Sequence, residues 1–185
     1  DLGTEVSNLL IETESGVDRI NKIIGDLRGF ANTEIGDHRS VDLNRLLEAQ
    51  IQLLPAELRQ GIEVRTEFSS LPDVKVMAEQ FSQAVRNVMR NGFESMGGQG
   101  IFTLTTALDK ESVLITISDS GCGISKQQME RIFDPFYTTK DASKGTGLGL
   151  SLSYGVIKYH GGDINVQSGP GAGTTFSIRL PLAFR

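Results

Sequence analysis

Asp-Ser-Gly-Cys-Gly-Ile (119–124), Phe-Asp-Pro-Phe-Tyr-Thr-Thr-Lys (133–140) and Lys-Gly-Thr-Gly-Leu-Gly-Leu-Ser (144–151) form the stretch that decides how this chain is read. The first piece follows an apolar alternation from Val113 to Ser118, which predicts that Asp119 emerges at the end of a strand with two glycines behind it. A carboxylate there accepts hydrogen bonds, and glycines let a flat ring come close because they carry no side chain. That pairing suits an adenine amino group. In the last piece, Gly145, Gly147 and Gly149 open a helical pattern running from Leu148 to Tyr159. Free backbone N–H groups and the positive end of the helix then face whatever lies before them, and phosphates are the natural guest.

Moving outward, the chain of 185 residues is 38% hydrophobic and 22% charged, enough for one domain with a sizeable core plus an appendage. Its net charge of −5 argues against a nucleic-acid partner and supplies no polybasic membrane patch. A polyanionic ligand must therefore meet local lysines. A single cysteine, Cys122, excludes an intrachain disulfide framework and suits a reducing, cytoplasmic setting. No apolar run reaches membrane-spanning length.

At the N-terminus, Val6, Leu9, Thr13, Val17, Ile20, Ile24 and Leu27 recur at spacings of three and four, the pattern of a heptad-like helix. Such a stripe needs an apolar partner, and nothing nearby in the sequence supplies a second helix of matching length. Residues 1–35 are thus expected to be a helical arm that pairs with a segment outside this chain or with another subunit. Gly36 to Ser40 is expected to be a hinge, and the compact domain spans residues 41–185. Asp42 to Leu54 predicts an amphipathic helix with Pro55 ending or interrupting it. Ile62–Phe68 and Val74–Met77 read as short strands joined by Ser-Ser-Leu-Pro-Asp.

Ala78 to Met96 carries the strongest helical pattern, with Phe81, Ala84, Val85, Val88 and Met89 as its buried stripe and Gly97-Gly98 as its stop. Two hairpins follow from the pattern: Ile101–Leu108 with Val113–Ser118 about Asp109 and Lys110, and Ile164–Gln167 with Thr174–Leu180. Helices and hairpins alternate without a regular βαβ rhythm. The fold class is therefore α/β, a two-layer sandwich of a mixed β-sheet and helices preceded by a long N-terminal helix, and not a doubly wound parallel fold. A Rossmann turn at Gly145, Gly147 and Gly149 would need a strand just before it, and Asp-Ala-Ser-Lys is a poor strand.

Asn87 and Asn91 stand four apart on the Ala78–Met96 helix, so their side chains share a face about 5–6 Å apart. Taken alone, two such asparagines belong on a solvated helix face. Beside a phosphate site they gain a use, because Mg²⁺ takes hard oxygen ligands and an amide oxygen adds no charge to repel a triphosphate. Asn-Val-Met-Arg-Asn (87–91), Asp-Ser-Gly-Cys-Gly-Ile (119–124), Phe-Asp-Pro-Phe (133–136) and Gly-Thr-Gly-Leu-Gly-Leu (145–150) occur in that order. In this the chain resembles the ATP-binding catalytic domain of sensor histidine protein kinases, with these segments similar to its N box, first glycine box, F box and second glycine box. That domain belongs to the superfamily shared with DNA gyrase, heat-shock chaperone ATPases and mismatch-repair ATPases.

The resemblance implies a Bergerat-type sandwich that binds ATP with Mg²⁺. Asp119 would read adenine with Thr174, in Gly-Ala-Gly-Thr-Thr-Phe (171–176), beneath the ring; Asn91 and Asn87 would hold the cation. Gly121, Gly123 and Ile124 of the first glycine box, and Gly145, Thr146, Gly147, Leu148 and Gly149 of the second, would line the nucleotide. Residues 121–147 would form a mobile lid, with Lys140 and Lys144 neutralising phosphate charge where a lone lysine is otherwise a solvated surface charge. Phe133, Phe136 and Tyr137 are expected to anchor that lid.

Superfamily members that hydrolyse ATP carry a glutamate general base where this chain has Asn87. An amide cannot accept the proton, so transfer to a protein side chain is favoured over hydrolysis. The resemblance implies transfer of the γ-phosphoryl group to a histidine on the first helix of a dimeric bundle, then relay to the aspartate of a response-regulator receiver domain. His38 lacks both the position and the acidic neighbour of that acceptor. His160, before Gly161-Gly162, reads as a cation at a helix end. The acceptor is thus expected upstream of this chain, with residues 1–35 resembling the second bundle helix of a homodimer, and the parent a cytoplasmic protein or a membrane-anchored sensor. Gly92 stands where the family has alanine, at a cost of about 1 kcal/mol in helix propensity, and Cys122 reads as a tolerated small residue. A clamp-type ATPase and a nucleotide-sensing scaffold are the alternatives.

Overall fold

The computed structural model describes residues 38–141 and 145–182, with residues 6, 9, 10, 13, 14, 16, 17, 20 and 23–25 of the N-terminal segment. The described residues of that segment are helical; Leu27, Lys144 and the continuity of the expected arm lie outside the described residues. Among the described residues no helix is long and apolar enough to cross a membrane.

In chain order the elements are β1 (Arg39–Val41), α1 (Leu43–Gln52), α2 (Ala56–Arg59), β2 (Ile62–Phe68), β3 (Val74–Val76), α3 (Ala78–Ser95), β4 (Gly100–Asp109), β5 (Ser112–Asp119), α4 (Lys126–Met129), α5 (Gly149–Tyr159), β6 (Asp163–Ser168) and β7 (Thr174–Pro181). Five strands make one sheet in the order β2-β4-β5-β7-β6. Only β2 and β4 run parallel; the other pairs are antiparallel. The parallel pair is bridged by α3, as a parallel connection needs a crossover.

Both expected hairpins form because alternation and turn chemistry agree. At the first turn, Lys110 takes a left-handed φ of 56° between β4 and β5. Register then aligns the apolar positions in rows, Leu104 opposite Ile117 and Ile117 opposite Phe176, then Ile115 opposite Ile178 and Ile178 opposite Ile164. All are buried. A one-residue slip would turn each row to the other face, so this burial fixes the pairing. The inward face meets α3, whose Phe93 stacks on Phe102 of β4 with centroids 4.3 Å apart. Removing a ring buried this completely costs about 3–5 kcal/mol in comparable cores.

Two features hold the remaining helices on that face. Asp42 caps α1, its side chain accepting the Arg45 N–H at 3.1 Å, and Asn44 accepts the hydroxyl proton of buried Thr106 at 2.8 Å. Ser153 of α5 donates within reach of Ala84 O at 2.9 Å and Gly149 O at 2.8 Å, pinning α5 beside α3. The result is a two-layer sandwich on a mixed sheet, as the pattern predicts.

Three expectations are corrected. Residues 39 and 40 are not hinge: they pair with Val76 and Lys75 in a separate two-stranded sheet, because β3 turns away from β2 to take β1 as its partner. His160 is not a cation at a helix end; it is buried, and burial pushes its pKa below the ordinary histidine value. Phe136 is not a buried anchor, the residue being 68% exposed. The four-residue helices α2 and α4 have no counterpart in the sequence pattern, being too short to show a period.

Candidate functional site

Between α3, the start of α5 and the C-terminal end of β5 the fold leaves a cleft of about 430 Å³. Its floor is set by Asp119, the last residue of β5, opposite Thr174 at the start of β7. Asp119 Oδ1 accepts the Gly121 N–H at 2.9 Å and lies 2.9 Å from Ser95 Oγ. These bonds orient the carboxylate from one oxygen. Burial raises its pKa above the ordinary carboxylate value, opposed by the N–H groups of Gly121 and Thr174 and the Ser95 hydroxyl. A half-buried carboxylate kept short of full solvation is a strong acceptor for a ligand N–H.

The backbone around it packs without room for side chains. A Cβ on Gly123, whose φ is 70°, would fall 1.9 Å from Gly169 O. Gly121 lies against Ser95 of α3, while residues 122 and 123 therefore rest directly on the β6–β7 turn, where the Gly171 N–H donates to Cys122 O at 2.7 Å. Ser168 ties the two together, accepting the Ile124 N–H at 2.8 Å and donating to Gly173 O at 2.7 Å, with Thr174 Oγ1 3.0 Å away. Gly92 has a packing reason for its place on α3: a Cβ there would come 3.3 Å from both Asp119 Oδ2 and Phe102. Cys122 is exposed, with its Sγ 3.6 Å from Gly123 O.

Asn87 and Asn91 line the cleft from α3. Asn87 Nδ2 donates to Gly149 O at 3.4 Å, which leaves its amide oxygen as an acceptor. Asn91 Oδ1 accepts from the Lys140 ammonium at 3.1 Å, and Lys140 also pairs with Glu94. Across the cleft, Gly145, Thr146, Gly147 and Gly149 lead into α5. Leu148 is the N-cap residue and has no side-chain cap bond; its N–H reaches Thr146 Oγ1 at 3.3 Å. The first turn of α5 is thus uncapped beside the cleft, where an anion would be favoured.

The intervening segment packs on α5 through Phe133. Phe133 packs on Tyr154 with centroids 5.2 Å apart, and Arg131 lies 4.5 Å over the Tyr137 ring. Gly147, at a φ of 69°, sits against the Phe136 backbone, where a Cβ would come 2.3 Å from the carbonyl carbon. Phe136 contributes through its main chain while its ring points outward.

Of the residues expected from the sequence, Asn87, Asn91, Asp119, Gly123, Ile124, Lys140, Gly145, Thr146, Gly147, Gly149 and Thr174 line this one cleft. Gly121 and Leu148 are buried and are not among its lining residues, and Lys144 lies outside the described residues. The pattern missed Arg90, Glu94, Ser95, Ile132 and Phe176, all lining residues. Positions 87, 90, 91, 94 and 95 share one helix face by spacing. The helical spacing that sets Asn91 on the face of Asn87 brings Glu94 and Ser95 to that face one turn further on.

A divalent cation fits this donor set, since Asn91 Oδ1 and the Glu94 carboxylate already accept a cationic ammonium. Among the described residues no three His, Cys, Asp or Glu side chains converge as a metal site. Such a cation would draw the rest of its oxygens from ligand and water.

A mixed sheet covered on one face by helices, with a carboxylate at a strand end facing an uncapped helix start, defines an ATPase-type sandwich. Residues 77–184 match the family described as histidine kinase-, DNA gyrase B- and HSP90-like ATPase, and the chain belongs to it. It is 31% identical over 182 residues to the sensor histidine kinase ZraS of Escherichia coli (strain K12), covering 97% of this chain and 39% of that protein. To the signal transduction histidine-protein kinase AtoS of the same organism it is 36% identical over 172 residues, 90% of this chain and 28% of that one.

The chain thus spans less than half the length of these curated relatives. Among solved structures, the nucleotide-free catalytic domain of histidine kinase ThkA superposes with a TM-score of 0.71 at 28% identity, covering 79% of this chain and 96% of that one. Full-length ShkA in complex with AMPPNP gives 0.76 at 25% identity, covering all of this chain and 40% of that one. The chain is a histidine-kinase-type ATPase domain of the Bergerat sandwich, of the kind found in sensor kinases.

Proposed function

We propose that this chain binds ATP with Mg²⁺ and presents the γ-phosphoryl group to a histidine on a bundle helix outside residues 1–185, for relay to a response-regulator aspartate. The observation that carries the reading is the facing of Asp119 by α5. A carboxylate oriented by Gly121 and Ser95 stands at one part of the cleft, and the uncapped first turn of α5 at another. An adenine amino group and a phosphate chain are the two halves of one ligand that answer to both.

In this reading Asp119 accepts the adenine amino proton, with Thr174, Ile124, Gly121 and Gly123 around the ring. Asn91, helped by the Asn87 oxygen, holds the cation, which neutralises phosphate charge when bound. Lys140, Lys144 and the backbone from Gly145 to Gly149, with Thr146 and Leu148, face the phosphates. The acceptor nitrogen attacks the γ-phosphorus and forms the P–N bond as the bond to the β,γ-bridging oxygen breaks, so that ADP leaves with the electron pair. This chain contributes position and charge. Its residue 87 is an amide whose nitrogen is engaged with Gly149 O, which supports transfer over water activation by a base at that place. Residues 1–35 serve as the second bundle helix of a homodimer on the cytoplasmic side, and residues 41–185 as the catalytic domain.

Titration with a fluorescent ATP analogue, with and without Mg²⁺, tests the reading. Asp119→Asn is expected to weaken binding about 10- to 100-fold, because a hydrogen bond to a charged group is worth roughly 1.5–3 kcal/mol. The Asn oxygen would keep the Gly121 and Ser95 bonds and leave an NH₂ facing the adenine NH₂. Asn91→Ala is expected to remove the Mg²⁺ dependence. Adding the acceptor bundle in trans should then yield acid-labile, base-stable phosphate; nucleotide binding without transfer would instead identify a scaffold.

A further inference from the structure

Helix α3 places a carboxylate in the cleft that the reading above leaves unused. Glu94 follows Asn91 by three residues on the same helix face, with its side chain 25% exposed. Its two oxygens have different partners. Oε1 lies 3.1 Å from Arg90 Nε, one turn back on the helix, while Oε2 pairs with the ammonium of Lys140. That same ammonium is 3.1 Å from Asn91 Oδ1. One cation therefore lies between a carboxylate oxygen and an amide oxygen presented by successive turns of one helix.

We propose that Glu94 offers Oε2, alongside Asn91 Oδ1, to the divalent cation that enters with the nucleotide, and that Lys140 holds these two oxygens until it does. The proposal rests on the cleft being a metal–nucleotide site. Carboxylate and amide oxygens are the ligands a hard divalent cation takes, directly or through its waters, and the ammonium of Lys140 marks where this cleft already attracts positive charge. Arg90 fills the role of an outer partner. By taking Oε1 it fixes the carboxylate's orientation and offsets part of its charge, as groups hydrogen-bonded to metal ligands do. Lys140, once displaced, is a flexible point charge next to the phosphates it would otherwise be too far engaged to meet.

A carboxylate in a polyphosphate cleft has effects of opposite sign on the two halves of the ligand. It repels the bare nucleotide and attracts the cation. An ion pair serving only to fasten the lid would show no such split, because its loss would act on nucleotide affinity regardless of metal. The sign pattern therefore distinguishes the two roles.

The full chain is titrated with ADP in EDTA and, separately, with Mn²⁺ at saturating ADP, following free Mn²⁺ by electron paramagnetic resonance. Glu94→Gln keeps the side-chain shape, and Asn91→Ala serves as the reference for the cation site. Glu94→Gln is expected to lower Mn²⁺ affinity of the ADP complex about 10- to 100-fold, while metal-free ADP affinity stays equal or tightens. Lys140→Gln is expected to raise Mn²⁺ affinity of the nucleotide-free protein by freeing both oxygens. Unchanged Mn²⁺ affinity in Glu94→Gln, in a protein that binds ADP and loses Mn²⁺ affinity in Asn91→Ala, overturns the proposal and leaves the nucleotide reading intact. Failure of the wild-type chain to bind ADP at all overturns both.

Discussion

His160 is buried at the end of α5, where Nδ1 lies 2.7 Å from Val156 O and Nε2 accepts the Met77 N–H at 2.9 Å. Since Nε2 must keep its lone pair for Met77, the proton stays on Nδ1 and the ring is neutral. Burial is the main cause of its lowered pKa, the bond to Val156 opposes it, and the nearby His38 adds to it. The folded value thus lies below the ordinary 6.5. Between the two values the unfolded chain binds the proton more readily, so stability is full above pH 6.5 and lost as pH falls from there through the folded value. Urea unfolding at pH 7.5, 6.5 and 5.5 is expected to show this loss, with a slope of at most about 1.4 kcal/mol per pH unit from one proton. His160→Gln should flatten it; an equally steep variant would assign the dependence to another group. The role of this ring was not legible in the sequence, because its donor lies 83 residues away. Asp119 was legible as a carboxylate at a strand end, whereas Asn91, which taken alone belongs on a solvated helix face, became legible only beside the glycine motifs further along the chain.

At the level of elements the same distinction between local and distant holds. The two hairpins and α3 followed from alternation, turn residues and a continuous apolar stripe, all within short windows of sequence. The β1–β3 pair did not, since Arg39 meets Val76 across most of two helices and a strand, and three-residue strands carry no period. Lid seating lies between these cases. Glycines 145, 147 and 149 were legible as a turn that opens a helix, yet only the fold shows that Gly147 also receives the Phe136 backbone. Gly147→Ala must place a methyl where 2.3 Å separates it from the Phe136 carbonyl carbon, at a φ of 69°. The lid end must move, and a residue forced into such a conformation costs about 1–3 kcal/mol. Nucleotide affinity is expected to fall, with faster protease cleavage between residues 133 and 147 than in wild type. Near-equal cleavage and affinity would mean that the turn accommodates the methyl without unseating the lid.

For the whole molecule, the question is which residues the domain needs. Its core runs from Leu43 to Leu180; of the described apolar residues of the N-terminal segment, Ile23 is partly buried, while Val6, Leu9, Leu10, Val17, Ile20 and Ile24 are at least half exposed. These side chains add little to the sandwich. Among the described residues, His38 is stacked on Tyr159 at 6.3 Å, and the β1 pairing with β3 follows. A chain beginning at His38 is therefore expected to unfold cooperatively, with a midpoint within about 2–4 °C of the full chain, the shift that roughly 1 kcal/mol produces in a domain of this size. Its ATP-analogue affinity should stay within about twofold, since no cleft residue precedes Asn87. Any self-association should go with residues 1–37, because their apolar stripe lacks a partner among the described residues and burying it is what would drive assembly. Thermal unfolding, nucleotide titration and sedimentation of the two chains read these separately. A truncated chain that loses its cooperative transition would place the N-terminal segment inside the folding unit, and one that keeps it while still associating would move the interface onto the sandwich.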